Sequence, residues 1–479
     1  MVATGAAMTA TIPVAGAWKT GEDRLEVRNP YDGSVVAEVT RASADDVEAA
    51  VAAADAAFAR TRTIAAHERA RILSEVSSGI AADRETFART LTLETGKPIR
   101  DARVEVDRAT LTFAVAAEEA KRIGSEVVPM DWAPAGESRI GINLRFPIGT
   151  VLGISPWNYP LNLVAHKIAP AIAAGNPIVV KPASQTPTSA LQLARLAHDA
   201  GWPAEALSVL PTDSRLIEPY ATDRRIKKIT FTGSMDVGWR LKELAWRTKV
   251  TLELGGNAGV IVHEDADLEH AANRVAAGGF GFSGQSCISV QRVYVHASVR
   301  DRFSELLLAR ARALKLGDPL EATTDLGPMI AGDAVDRYVS WLDEAIADGA
   351  TTLLRGERHG NAVGPSILVD ADPSLRVVAR EVFAPLVNLY TYERFEDAVE
   401  RVDDSIYGLQ AGVFTRDIRR IWHAFEHIEV GGLMINEVPS WRIDHMPYGG
   451  VKDSGWGREG LRYAIEEMTE PRLLMINLA

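Results

Sequence analysis

Apolar residues recur with helical period over residues 45–60, 67–80 and 83–95, with polar positions filling the other faces. Ser43 stands where the first of these helices needs an N-cap. Gly96, followed by Pro98, stops the third. The same period predicts one long helix over 99–123. The pattern then changes. Pro129, Pro134 and Gly136 break any helix, and 138–146 alternates polar and apolar residues. This predicts a hairpin-like excursion that packs on another subunit.

From Gly149 short apolar runs alternate with helical patterns. Strands are predicted at 150–154, 178–180, 207–210, 228–231 and 250–254, with helices at 163–174, 188–200 and 235–246. After Gly255-Gly256 the alternation restarts: strand 258–262, helix 268–277, strand 292–295, helix 299–314. Such alternation predicts an α/β fold of parallel sheets covered on both faces, with ligands at the carboxyl ends of the strands. Residues 472–478 read as a last strand without a partner nearby in sequence.

Composition narrows the class. The chain has 479 residues, 47% of them hydrophobic and 24% charged, which suits a soluble enzyme of two or three domains. A net charge of −12 disfavours nucleic acid or an acidic membrane surface as partner. The first 17 residues contain no Lys or Arg, unlike a signal peptide, and the first dozen are expected to be disordered. The longest apolar run, 161–180, is interrupted by His166, Lys167, Gly175, Asn176 and Pro177, too polar for a membrane span. A cytoplasmic location is expected.

Cys287 is the only cysteine, which rules out an internal disulfide. A lone thiol is either a small buried hydrophobe or a nucleophile. Its neighbours Gly278, Gly279, Gly281, Ser283 and Gly284 are small and flexible, as an open thiol requires. Other polar segments close predicted strands: Ser155-Pro156-Trp157-Asn158-Tyr159, Lys181-Pro182-Ala183-Ser184, Phe231-Thr232-Gly233-Ser234 and Glu253-Leu254-Gly255-Gly256. Each alone reads as a turn; together they mark one sheet edge. Gly279 to Gly284 matches GxGxxG but follows a helix, so it is not a dinucleotide fingerprint. The pairs His423/His427 and His263/His270 lack the HExxH pattern, and no metal site is expected.

These segments, with Glu381 to Pro385 and Pro447-Tyr448-Gly449-Gly450-Val451-Lys452 to Gly460, resemble the non-acylating NAD(P)-dependent aldehyde dehydrogenases. The closing segment is similar to the lactaldehyde, glyceraldehyde-phosphate and phosphonoaldehyde branch. The resemblance implies a Rossmann-like cofactor domain (1–125 and 147–254), an α/β catalytic domain (255–462) and a small β oligomerisation arm (126–146 and 463–479). It implies Cys287 as nucleophile, Asn158 in the oxyanion hole and Glu253 as base for thioester hydrolysis. Ser155, Trp157, Lys181, Ser184, Gly233, Ser234, Gly255, Glu381 and Phe383 would hold the cofactor. Many NAD-preferring members carry Glu where this chain has Ser184, so NAD is favoured with NADP tolerated. Arg108, Tyr159 and Arg442 would hold the tail of a polar or anionic aldehyde. Some anion-binding relatives have Arg immediately before the nucleophile, whereas this chain has Ser286. A homodimer or homotetramer is implied. The alternatives are a CoA-acylating relative and a non-catalytic binding protein of the same fold.

Overall fold

The computed structural model describes residues 8–479. Two sheets organise it. The first has six strands in the order Leu207–Val209, Ile178–Lys181, Val151–Ile154, Lys228–Thr232, Lys249–Glu253, Gly455–Trp456. All are parallel except the last, which runs antiparallel to Lys249–Glu253. Strand order reverses between Val151–Ile154 and Lys228–Thr232, which opens a crevice at their carboxyl ends. These strands are buried along almost their whole length, and their continuous apolar runs suit a sheet covered on both faces.

The covering helices arise where the sequence places them. Ala44–Thr61 begins at Ser43, whose hydroxyl forms a capping box with Asp46. Arg84–Thr95 ends at Gly96 in the left-handed conformation, φ 72°. Ile99–Ala120 runs for 22 residues and buries Ala102, Val106, Ala109 and Phe113.

The second sheet has seven strands in the order Thr351–Leu354, Ser366–Val369, Leu386–Tyr392, Val290–His296, Ala258–Val262, Gln410–Phe414, Gly432–Ile435. Only Thr351–Leu354 is antiparallel. Separate apolar clusters line its two faces. Near its end the chain returns to the first sheet, and Leu461, Ile465 and Met468 join the first core.

The arm is a third, antiparallel sheet. Arg139–Pro147 pairs with Glu126–Val128 on one side and Thr469–Asn477 on the other. The last strand thus finds its partner more than 300 residues upstream, a pairing that local sequence cannot reveal. Val127, Leu473, Leu474 and Met475 stand exposed on the arm.

One expectation is corrected. Disorder over the first dozen residues lies partly outside the described residues, but Met8–Ala10 pairs with Val35–Thr40 and Ile12–Val14 pairs with Ala17–Lys19. Ile12 is fully buried, which fixes the segment. Among the described residues no helix is long and apolar enough to cross a membrane.

Candidate active site

A cavity of about 840 Å³ lies at the crevice of the first sheet and reaches the second. Strand ends and a forced turn supply much of its wall, and the helix Ile99–Ala120 supplies Glu105 and Arg108. Trp157 and Asn158 follow Val151–Ile154, Gly233 and Ser234 follow Lys228–Thr232, and Glu253 ends its own strand. Cys287 arrives from the other domain. The helix Leu268–Phe280 ends, and Phe282, Ser283 and Gly284 follow with φ of 49°, 54° and 70°. Left-handed backbone at two non-glycine residues costs energy and persists only where the surroundings enforce it. Here Ser283 Oγ donates to Gly327 O, and Ile330 N donates to Gln285 Oε1. A Cβ at position 284 would lie 2.1 Å from Ala384 O, so only glycine fits there. The turn delivers Cys287, half-buried, to the cavity wall.

Burial pushes the Cys287 thiol up to about 12, while a hydrogen bond with the Tyr448 hydroxyl, 3.3 Å from Sγ, pulls it down. Asn158 Nδ2 donates to Gln285 O at 3.2 Å, which ties the amide to the loop before the nucleophile. Glu253 is buried, and neither carboxylate oxygen has a hydrogen-bond partner within the protein. Desolvation, then the nearby Glu459 carboxylate, raises its pKa well above the usual range.

The half of the cavity lined by Gly233, Gly255 and Glu381 has small residues where backbone is closely approached. A Cβ at Gly255 would lie 2.6 Å from Glu381 Oε2. Glu381 Oε1 accepts from Gly256 N at 3.0 Å, and burial pushes its pKa up to about 7. Phe383 and Trp157 meet edge to face at 5.6 Å. The helix Met235–Leu244 starts after Ser234 with no side-chain cap, so its first N–H groups point free into the crevice. Lys181 ends its strand with no hydrogen-bond partner for its ammonium, and Ser184 Oγ is 3.5 Å from Thr212 O. These donors, the uncapped helix start and the glycine floor fit an anionic dinucleotide. Ser155, Lys181 and Ser184 lie outside the cavity wall; the other sequence-selected residues form part of it.

The far end holds Arg108, Tyr159 and Arg442, and none of them is free. Arg108 makes a two-point bond to Asp444, at 3.1 and 2.7 Å. Arg442 reaches Glu459 at 3.4 Å and stacks over the Tyr448 ring, 3.6 Å from its centroid. Tyr159 lies under the Lys97 ammonium, 3.7 Å from the ring centroid. Sequence reasoning missed Lys97, Glu105, Lys167, Tyr448, Asp444 and Glu459. Lys167 carried a signal: it is an ionisable residue beside His166 in a largely apolar helix, fully buried, with Nζ 2.7 Å from Thr232 Oγ1. Among the described residues no cluster of His, Cys, Asp or Glu is arranged to hold a metal.

Fold and site together define an α/β oxidoreductase built around one thiol. The chain belongs to the aldehyde dehydrogenase family, whose sequence profile matches residues 18–474. It is 44% identical over 466 residues to a 3-sulfolactaldehyde dehydrogenase of Priestia aryabhattai, covering 97% of each chain. Aldehyde dehydrogenase 21 of Physcomitrella patens, solved with the reaction product succinate, superposes with a TM-score of 0.97 at 43% identity over 99% of each chain. A glyceraldehyde-3-phosphate dehydrogenase of Methanocaldococcus jannaschii, complexed with NADP, gives 0.92 at 35% identity over 96% of this chain and all of that one. The protein is therefore an enzyme that oxidises aldehydes.

Proposed function

We propose that the enzyme oxidises a small polar or anionic aldehyde to its carboxylate, with NAD or NADP as oxidant, through a covalent intermediate on Cys287. The observation that supports this best is the meeting of Cys287, Asn158 and an unpartnered Glu253 in one cavity. The Cys287 thiolate attacks the carbonyl carbon; a C–S bond forms and the carbonyl oxygen takes the charge. The Asn158 amide and the Cys287 backbone N–H receive that oxygen. A bound nicotinamide cofactor would supply the two-electron oxidation as hydride acceptor at this stage. Glu253 then takes a proton from water, which attacks the thioester; the C–S bond breaks and the acid leaves. Glu253 thereby favours water over CoA as acceptor, and its intact constellation with Cys287 and Asn158 favours an enzyme over a binding protein.

For the cofactor, Gly233 and Ser234 accommodate the pyrophosphate, and Ser155 and Gly255 belong to the same binding set. Lys181 and Ser184 face the adenosine, Glu381 the nicotinamide ribose, and Phe383 with Trp157 the ring. Ser184 leaves room for a 2′-phosphate, so both cofactors are accepted and NAD is preferred. Arg108 keeps Nη1 without a protein partner, which suits a polar or anionic tail beside Tyr159 and Arg442. The named relatives, of sulfolactaldehyde, succinate and glyceraldehyde 3-phosphate, support that class. We also infer that 1–125 with 147–254 binds cofactor, that 255–462 carries the thiol, and that the arm, 126–146 with 463–479, joins copies into a dimer or tetramer. Sedimentation showing only monomer at micromolar concentration would remove the last point.

The test is cofactor reduction without CoA, with NAD and with NADP. The panel is lactaldehyde, succinic semialdehyde, glyceraldehyde 3-phosphate, phosphonoacetaldehyde and a plain aliphatic aldehyde. Turnover should favour the polar and anionic members and vanish in Cys287→Ala. Turnover that persists in that variant, or that needs CoA, defeats the reading.

A further inference from the structure

Tyr448 sits inside the closing segment of the chain, and nothing in the reaction above uses it. Its hydroxyl is 3.3 Å from Cys287 Sγ and has no other partner. The residue is buried, and Ile288, Leu409 and Met446 surround it with apolar contacts. Its backbone is clamped both ways: Tyr448 N donates to Glu459 O at 3.1 Å, and Glu459 N donates to Tyr448 O at 2.6 Å. The Arg442 guanidinium covers one face of the ring. The phenol therefore cannot swing to another acceptor. A phenylalanine would fill the same ring space, and a hydroxyl in an apolar cluster is costly unless it has a partner. Here that partner is the sulfur.

A thiol is a weak acceptor, whereas a thiolate accepts a charge-assisted bond. A fixed O–H aimed at sulfur thus favours the thiolate over the thiol. The guanidinium over the ring face adds positive charge beside the pair and makes the phenol a better donor. From this geometry we infer that Tyr448 is a catalytic residue of the first half-reaction: its hydroxyl donates to Cys287 Sγ and stabilises the thiolate that attacks the aldehyde. The thioester sulfur carries no charge until it leaves as thiolate after water has added, so the same hydroxyl does not act on the addition of water and acts only on that final C–S cleavage. The inference rests on Cys287 being the nucleophile.

The test needs neither the natural substrate nor turnover. Alkylation of Cys287 by iodoacetamide is followed from pH 7 to 9 in wild type and in Tyr448→Phe, which preserves the ring. Loss of a bond to a charged group lowers the thiolate fraction by about tenfold or more. Greater intrinsic nucleophilicity of the remaining thiolate returns about threefold. Alkylation in Tyr448→Phe should therefore run at least about threefold slower across the range. With an aldehyde, the burst of reduced cofactor should slow by the same factor or more, while the steady phase, set by addition of water to the thioester, slows less. Replacement of Tyr448 by 3,5-difluorotyrosine, a more acidic phenol of the same shape, should speed alkylation; this arm stands if Tyr448→Phe folds poorly. An equal or faster alkylation rate in Tyr448→Phe, or no acceleration with the fluorinated residue, overturns the inference. Turnover persisting in Cys287→Ala defeats the underlying reading instead, so the two failures are distinct.

Discussion

Two walls of the cavity bury carboxylates in opposite ways. On the substrate side Glu105 is fully buried and fully engaged: it pairs with the Lys97 ammonium and accepts from the backbone N–H groups of Leu161 and Asn162. Asp444 on the same side accepts from Arg108 and Asn162 and lies 2.8 Å from His166 Nε2. Elsewhere in the cavity lining Glu253 is also buried, and it has no hydrogen-bond partner among the described residues. The difference teaches that burial alone does not mark chemistry. A buried carboxylate with both oxygens bonded holds the shape of the site. One left unengaged, with its pKa driven up, is poised to exchange a proton.

The largest effect that would break this contrast is at Glu253. Glu253→Gln should slow thioester hydrolysis by about 10²–10⁴-fold, the usual worth of a general base. One equivalent of reduced cofactor should still form as a burst, which stopped-flow absorbance records. Steady turnover near the wild-type rate would show that Glu253 is not the base.

Next is Lys97→Met, which leaves the Glu105 charge buried without its cation. Breaking a buried pair on one side costs about 3–5 kcal/mol, read from denaturant midpoints. Lys97 Nζ also donates to the Asn158 backbone oxygen at 2.9 Å, so the oxyanion side should loosen and activity fall as well. Restoration of stability by the double variant Lys97→Met/Glu105→Gln would identify the unpaired charge as the cause. A single variant as stable as wild type would remove Glu105 from the structural side of the contrast.

The two walls should also respond oppositely to pH. The folded pKa of Asp444 is depressed, with His166 and Arg108 holding it low against burial. Its contribution is complete above the unfolded value of about 3.9 and is lost as pH falls below it. The folded pKa of Glu253 is raised by burial. Its cost is absent below the unfolded value of about 4.3 and grows as pH rises from there through the folded pKa. Asp444→Asn should therefore lower stability most at neutral pH and less in acid. Glu253→Gln should raise it at neutral and alkaline pH and leave acid stability unchanged. Urea midpoints from pH 3 to 9 check both signs.

The sequence exposed the unengaged wall better than the engaged one. Cys287, Asn158, Glu253 and Glu381 sit at strand ends or in short loops with their own local signature, and all four reach the cavity. Lys97, Glu105 and Asp444 lack such signatures. Lys97 and Glu105 lie at a helix start and in a helix, where charges are ordinary, and only the packing of distant segments buries them. Arg108 and Arg442 could be picked out as candidates for holding a substrate tail or making salt bridges, but their partners Asp444 and Glu459 could not be named, because those pairs span chain separations or folds of loop that periodicity does not encode. The same holds for the arm, whose two long strands lie at opposite ends of the chain.

Glu381 stands between the extremes and sharpens the comparison by its smaller effect. It is half-buried rather than fully enclosed, accepts one backbone N–H from Gly256, and has its pKa pushed up to about 7 by desolvation. In the proposed role an ionised Glu381 would accept hydrogen bonds from ribose hydroxyls; protonated, it would lose part of that capacity. Cofactor KM should therefore fall as pH rises through about 7. Glu381→Gln should raise KM by about fivefold, the worth of one hydrogen bond near 1 kcal/mol, and should flatten this pH dependence. Its charge also disfavours the Cys287 thiolate, so the same variant should alkylate somewhat faster than wild type. A steep pH dependence of KM that survives in Glu381→Gln would assign the titration to another group. It would also return Glu381 to the engaged class, with Gly256 as its sufficient partner.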